Sequence, residues 1–287
     1  MTHETIIGCA TAKEHLDHPD WVFVDCRFDI KDPGRCEREY AQAHISGAVY
    51  AHLDRDLSGP VTPGRTGRHP LPEPAALVGA LSGWGIDART QVIAYDESNG
   101  AMAAARLWWL LKWAGHDAAA VLDGGFRQWC AEGLSYSTGV ETRQPREFRA
   151  AFRWHMAIDA DGVAAILNDP SWVVLDARSN DRYQGKGETI DPVAGHIRGA
   201  VSAPYASNLT AEGLFRSPRE LALLFDPVMK GRDAAHTVVY CGSGVTAAHD
   251  VLAIAHAGKG MPLLYPGSWS EWITDPARPI GKGEGAH

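Results

Sequence analysis

The chain has 287 residues, 45% hydrophobic and 22% charged, a composition that excludes a disordered or fibrous protein and suits about two globular domains. Lys and Arg total 27 against 35 Asp and Glu, and a formal charge of -8 without a basic run argues against a nucleic-acid partner. The most apolar stretch, residues 102–113, is broken by Arg106 and Lys112, and the N-terminus lacks the basic start and apolar core of a secretory signal, so neither a membrane nor export is expected.

In chain order, short apolar runs at residues 21–24, 91–95, 172–175 and 237–240 read as buried strands. Helical stretches follow the second and fourth: residues 102–114, closed by Gly115, and 245–257, closed by Gly258. Glycine just past the last periodic residue is a helix stop, because it takes the left-handed conformation without a Cβ clash. Strand–helix alternation predicts an α/β fold, each domain a mostly parallel sheet flanked by helices. Residues 58–74, rich in Gly, Pro and Arg and containing His69, read as a long functional loop able to reach a neighbouring domain.

The chain repeats itself. Ala43-His44-Ile45-Ser46-Gly47-Ala48-Val49 returns as Gly195-His196-Ile197-Arg198-Gly199-Ala200-Val201, and Asp25-Cys26-Arg27 returns as Asp176-Ala177-Arg178. Val92-Ile93-Ala94-Tyr95-Asp96 matches Val238-Val239-Tyr240-Cys241, and Gly125-Phe126-Arg127-Gln128-Trp129 matches Ser268-Trp269-Ser270-Glu271-Trp272. Four matches in one order at a nearly constant offset mean duplication. The expected organisation is an N-terminal domain over residues 1–135, a polar linker over 136–153 and a C-terminal domain over 154–287.

The cysteines are Cys9, Cys26, Cys36, Cys130 and Cys241, an odd number in a chain too large to need a disulfide framework, which favours free thiols in a reducing cytoplasm. Neither C-x-x-C nor H-E-x-x-H occurs, so no metal site is expected. Cys241 stands apart. It closes an apolar strand and is followed by Gly242-Ser243-Gly244-Val245-Thr246-Ala247 and then a helix. Ligands of open α/β sheets sit beyond the carboxyl ends of strands. A glycine-rich turn capped by a helix N-terminus offers backbone N–H groups and a positive dipole that favour the thiolate, the nucleophilic form. Position 96, the equivalent in the first half, is an aspartate, so only the C-terminal half is expected to be catalytic.

Cys-Gly-Ser-Gly-Val-Thr-Ala resembles the active-site loop of 3-mercaptopyruvate sulfurtransferases, within the tandem-domain rhodanese family. The paired Asp-x-Arg and His-Ile-x-Gly-Ala motifs extend the resemblance over almost the whole chain, together with Asp123-Gly124-Gly125, Gly267-Ser268-Trp269 and Ser217-Pro218. It implies two rhodanese-like domains and a persulfide relay without a cofactor: Cys241 takes sulfur from a small-molecule donor, pyruvate leaves, and cyanide or a thiol such as thioredoxin or a low-molecular-weight thiol accepts it. It further implies a Ser–His–Asp set, matched by Ser243, His69 and Asp54, with a helix cap or surface charge the plainer reading of Asp54. Arg182 matches a substrate-binding arginine suited to a carboxylate. Lys186 and the loop residues Gly242, Gly244, Val245 and Thr246 complete the expected substrate site, whereas Arg178 beside Asp176, and His44 and His196, read as structural.

One departure concerns the substrate. Members acting on mercaptopyruvate often carry a second arginine shortly before the Gly-His-Ile segment; here the only cation between Arg182 and His196 is Lys186, and Thr189 stands at the aligned position. Thiosulfate is therefore the alternative donor, although dedicated thiosulfate enzymes typically bring basic side chains after the cysteine, where Gly242 and Ser243 are neutral. A phosphatase would want an arginine where Thr246 and Ala247 lie. A serine hydrolase built on Ser243 would need glycine at 241. A sulfur carrier or sensor without turnover is the remaining reading.

Overall fold

The computed structural model describes residues 2–284. By its internal contacts the chain divides into two units, one running to Gly59 and again over Leu71–Arg153, the other made of Pro60–Pro70 and the chain from Trp154 on. Each is built on a parallel sheet, as strands joined through helices require. In the first unit the order is Ile6–Ile7, Ala119–Leu122, Gln91–Tyr95, Trp21–Asp25, Val49–Tyr50, and in the second Val201–Ser202, Val173–Asp176, Thr237–Tyr240, Leu263–Leu264. All pairings within both sheets are parallel. Two antiparallel ribbons complete the units, His44–Ile45 with Tyr136–Ser137 and His196–Ile197 with Ile280–Gly281.

The strands Trp21–Asp25, Gln91–Tyr95, Val173–Asp176 and Thr237–Tyr240 are buried along their whole length, because helices cover both faces of a parallel sheet, whereas Trp172, expected to open the third, precedes it and is half-buried. The helix Ala104–Trp113 is buried all round, with Trp108, Trp109 and Trp113 almost fully enclosed. The duplicated motifs do the same work twice. Arg27 forks onto Asp25 and onto the carbonyl oxygen of Ala43, and Arg178 onto Asp176 and the carbonyl of Gly195. The hydroxyls of Tyr95 and Tyr240 accept from the backbone N–H of Ile45 and Ile197. His44 and His196 stack on Tyr40 and Tyr183 and place Nδ1 2.7 Å from the carbonyl oxygens of those tyrosines. Arg27 and Arg178 each pair their buried charge with a carboxylate, and the same set of contacts recurs in both units.

Two segments take places their composition does not disclose. The polar stretch from Tyr136 follows the surface of the first unit: Arg146 bonds Asp20, and the N–H groups of Ala151 and Arg153 donate to the carbonyls of Ala114 and Trp113. Pro60–Pro70, from the first half of the sequence, belongs to the second unit.

Candidate active site

The thiol sits where the parallel topology puts it. Thr237–Tyr240 is an interior strand of the second sheet, between Val173–Asp176 and Leu263–Leu264, and Cys241 is the next residue, 2% exposed. The turn is fixed from the opposite side by residues 266–270. The Cys241 N–H donates to Ser268 Oγ (3.0 Å), while the carbonyls of Cys241 and Gly242 accept from the N–H groups of Trp269 (3.0 Å) and Ser270 (2.9 Å). Gly244 adopts φ +76°, and a Cβ there would stand 2.8 Å from Pro266 Cα, so both the conformation and the close approach demand glycine. The helix Ala247–His256 follows directly.

In the first unit the same kind of turn gathers backbone N–H groups around a carboxyl, which burial nevertheless holds above its ordinary value. At the position equivalent to Cys241, the buried Asp96 carboxylate accepts from five backbone N–H groups: Ser98 and Gly100 on one oxygen, Met102, Ala103 and Ala104 on the other. A strand–turn–helix junction of this kind is an anion nest. In the second unit the side chain at its base is a thiol.

His69 is brought to the loop by Pro60–Pro70. Its Nδ1 lies 2.8 Å from Ser243 Oγ, and both side chains are buried, at 6% and 7% exposure. Asp54 lies in the first unit, in the first turn of the short helix Leu53–Asp56, and the cap of that helix is His52, whose Nδ1 accepts from the N–H groups of Asp54 and Arg55. Val245 is buried and Thr246 half-buried.

Arg182 lies beside the loop. Its Nε donates to Glu188 Oε2 (2.9 Å) and its Nη2 to Asp191 Oδ2 (2.8 Å). Glu188 is held below the usual carboxylate range: burial works against this, but the Arg182 hydrogen bond and the N–H groups of Ile190 and Asp191 outweigh it. For Asp191 the balance reverses, and burial leaves its carboxyl above the ordinary value despite two neighbouring guanidiniums. Lys186 is exposed, and the ion pairs of Asp191 are made by arginines. The second of these is Arg68, which pairs through Nη1 with Asp191 Oδ1. Sequence reading passed over it, although it is the immediate neighbour of His69, and that adjacency was the available signal. Among the described residues no group of three or more His, Cys, Asp or Glu side chains is placed to hold a metal ion, and no helix is long and apolar enough to cross a membrane.

Together these groups set a thiol at the start of a glycine turn and a hydroxyl within hydrogen-bond distance of an imidazole. Similarity to known proteins points the same way. A Pseudomonas aeruginosa protein named "Probable 3-mercaptopyruvate sulfurtransferase" is 47% identical over 285 residues, 99% of this chain and 100% of that protein. Bovine thiosulfate sulfurtransferase is 32% identical, covering 88% of this chain and 86% of that one. The solved 3-mercaptopyruvate sulfurtransferase of Leishmania major superposes with a TM-score of 0.83 at 33% identity, over 94% of this chain and 74% of its own. The rhodanese-like domain matches residues 9–132 and again 159–275, so the chain belongs to the rhodanese family, with the domain present twice.

Proposed function

We propose that the protein is a sulfurtransferase that moves sulfur from 3-mercaptopyruvate to a thiol or cyanide acceptor through a persulfide on Cys241. The observation that carries this reading is the thiol at the end of an interior parallel strand, in a glycine turn whose Ser243 is held 2.8 Å from His69. The Cys241 thiolate attacks the donor sulfur. The S–S bond forms as the C–S bond breaks, and the electron pair leaves on carbon as the enolate of pyruvate. That carbon then takes a proton, which the Ser243–His69 pair delivers; the same reading keeps Asp54 as the acid of the set. In the second half-reaction an acceptor thiolate or cyanide attacks the outer sulfur, and Cys241 leaves as thiolate, so ping-pong kinetics are expected.

The acceptor is a thiol, such as thioredoxin or a low-molecular-weight thiol, and the setting is a reducing cytoplasm, in keeping with five cysteines that are all unpaired. Pyruvate and thiocyanate formation by the wild-type protein and by Cys241→Ser test the reading. Cys241→Ser should lose turnover by about a thousandfold or more, and wild-type protein treated with donor alone should gain one sulfur atom on the Cys241 peptide. Appreciable turnover by the serine variant would refute it. Likeness to a thiosulfate sulfurtransferase supports thiosulfate as the second donor. A preference of about tenfold in kcat/KM, or about 1.4 kcal/mol, decides between the two.

A further inference from the structure

We propose that Arg68 and Arg182 form a two-guanidinium clamp for the carboxylate of a 2-oxo acid donor, with Arg68 supplying the second cation that the segment between Arg182 and His196 lacks. The inference rests on the sulfurtransferase reading and specifies how its donor is chosen.

Arg68 is carried to the site with His69. The Arg68 N–H donates to Ser270 Oγ (3.0 Å), and Gly67 packs so closely on residues 267–270 that a Cβ would stand 2.9 Å from that same oxygen. The segment is thus pinned to the strip of chain that also fixes the Cys241 turn. Asp191, its side chain 2% exposed, sets the two arginines side by side: Oδ1 takes Arg68 Nη1 and Oδ2 takes Arg182 Nη2. Glu188 engages Arg182 at Nε, the edge away from Nη1.

The remaining edges face the thiol loop. The position a Cβ on Gly242 would occupy lies 2.7 Å from Arg68 Nη2 and 3.5 Å from Arg182 Nη1. Gly242 adjoins Cys241, so both guanidiniums border the loop that carries the thiol, and a larger side chain at 242 would displace Arg68. Asp191 does not saturate Arg68, whose buried Nε has no hydrogen-bond partner. A counter-ion for Asp191 is already present in Arg182, so a second, incompletely paired arginine needs another purpose. A planar carboxylate fits the guanidinium fork in two-point contact, which a tetrahedral dianion such as thiosulfate matches less well.

Pyruvate is the probe, because it carries the 2-oxo carboxylate without a transferable sulfur. Its binding to Cys241→Ser is compared with binding to the same protein carrying Arg68→Ala or Arg68→Lys. Arg68→Ala should weaken pyruvate binding by about tenfold or more, with Arg68→Lys intermediate because the charge stays and the fork is lost. With Cys241 intact, Arg68→Ala should raise KM for 3-mercaptopyruvate by about tenfold while kcat stays within about threefold. The mercaptopyruvate-to-thiosulfate ratio of kcat/KM should fall by about tenfold. Equal losses with both donors, confined to kcat, would overturn the clamp in favour of a purely structural Arg68. Pyruvate affinity and KM unchanged within about twofold would overturn it too, leaving the sulfurtransferase reading intact. A wild-type protein inactive with both donors, whose pyruvate binding still depends on Arg68, would sink the sulfurtransferase reading and keep the carboxylate clamp.

Discussion

Gly244→Ala isolates how far the thiol turn depends on its backbone. At φ +76° an alanine meets the left-handed penalty, about 1–2 kcal/mol. Its Cβ would also stand 2.8 Å from Pro266 Cα, where ordinary contact begins at 3.4 Å, and closer still to the Pro266 carbonyl oxygen. The opposing atoms are backbone, so the turn itself must move by more than half an ångström, an overpacking cost of about 1–3 kcal/mol. The expected loss is about 2–5 kcal/mol of stability, the sum of the two terms. Displacing Ser243 and the thiol by about 1 Å should also lower kcat/KM by about a hundredfold. Gly199→Ala is the control: its φ is +85°, and its nearest neighbour, the Leu167 carbonyl oxygen, is 4.0 Å away, so only the conformational penalty applies. Urea unfolding and steady-state sulfur transfer on both variants read the difference. If Gly244→Ala matched Gly199→Ala in stability and turnover, the close approach to Pro266 would have no functional weight.

Two further variants test the buried polar groups. Asp96→Ala leaves five buried N–H groups without their acceptor, and should destabilise the protein by at least about 3 kcal/mol in urea unfolding. Asp96→Asn, which keeps one carbonyl oxygen in place, should cost less; a loss under about 1 kcal/mol for the alanine would show that the first-unit nest has relaxed around the gap. Asp250 is fully buried in the helix after the thiol loop, with Asn208 Nδ2 donating to Oδ1 and no partner for Oδ2, and burial holds its carboxyl well above the ordinary value. Its contribution is therefore full below the unfolded-state pKa, about 3.9, and is lost as pH rises towards the folded-state value, by up to about 1.4 kcal/mol per pH unit. The Tm of Asp250→Asn relative to wild type should rise between about pH 4 and pH 7, and parallel pH profiles would refute the assignment.

What the sequence determined by itself was everything written in local pattern. Apolar runs ended by glycine-rich turns gave the strands, the duplicated Asp-x-Arg and His-Ile motifs gave two copies of one fold, and Cys241 before Gly-Ser-Gly marked a thiol at a strand end. These are legible because the period and punctuation of a segment follow from its own backbone and from which face it buries. Asp96 could likewise be read as the non-thiol counterpart of Cys241, although not as the occupant of a five-donor nest.

Only the tertiary structure decided which side chains border the thiol loop. Arg68 meets Asp191 across 123 residues, and Ser268 holds Cys241 across 27; neither pairing has a periodicity that a sequence displays. Residues 60–70 look like part of the first half, yet their contacts lie in the second unit, because an irregular loop goes where its backbone hydrogen bonds and ion pairs are satisfied. Along the chain no arginine stands between Arg182 and His196. The structure provides a guanidinium from a different segment, since charge balance around a buried carboxylate is met in space, whatever the order of residues in the chain.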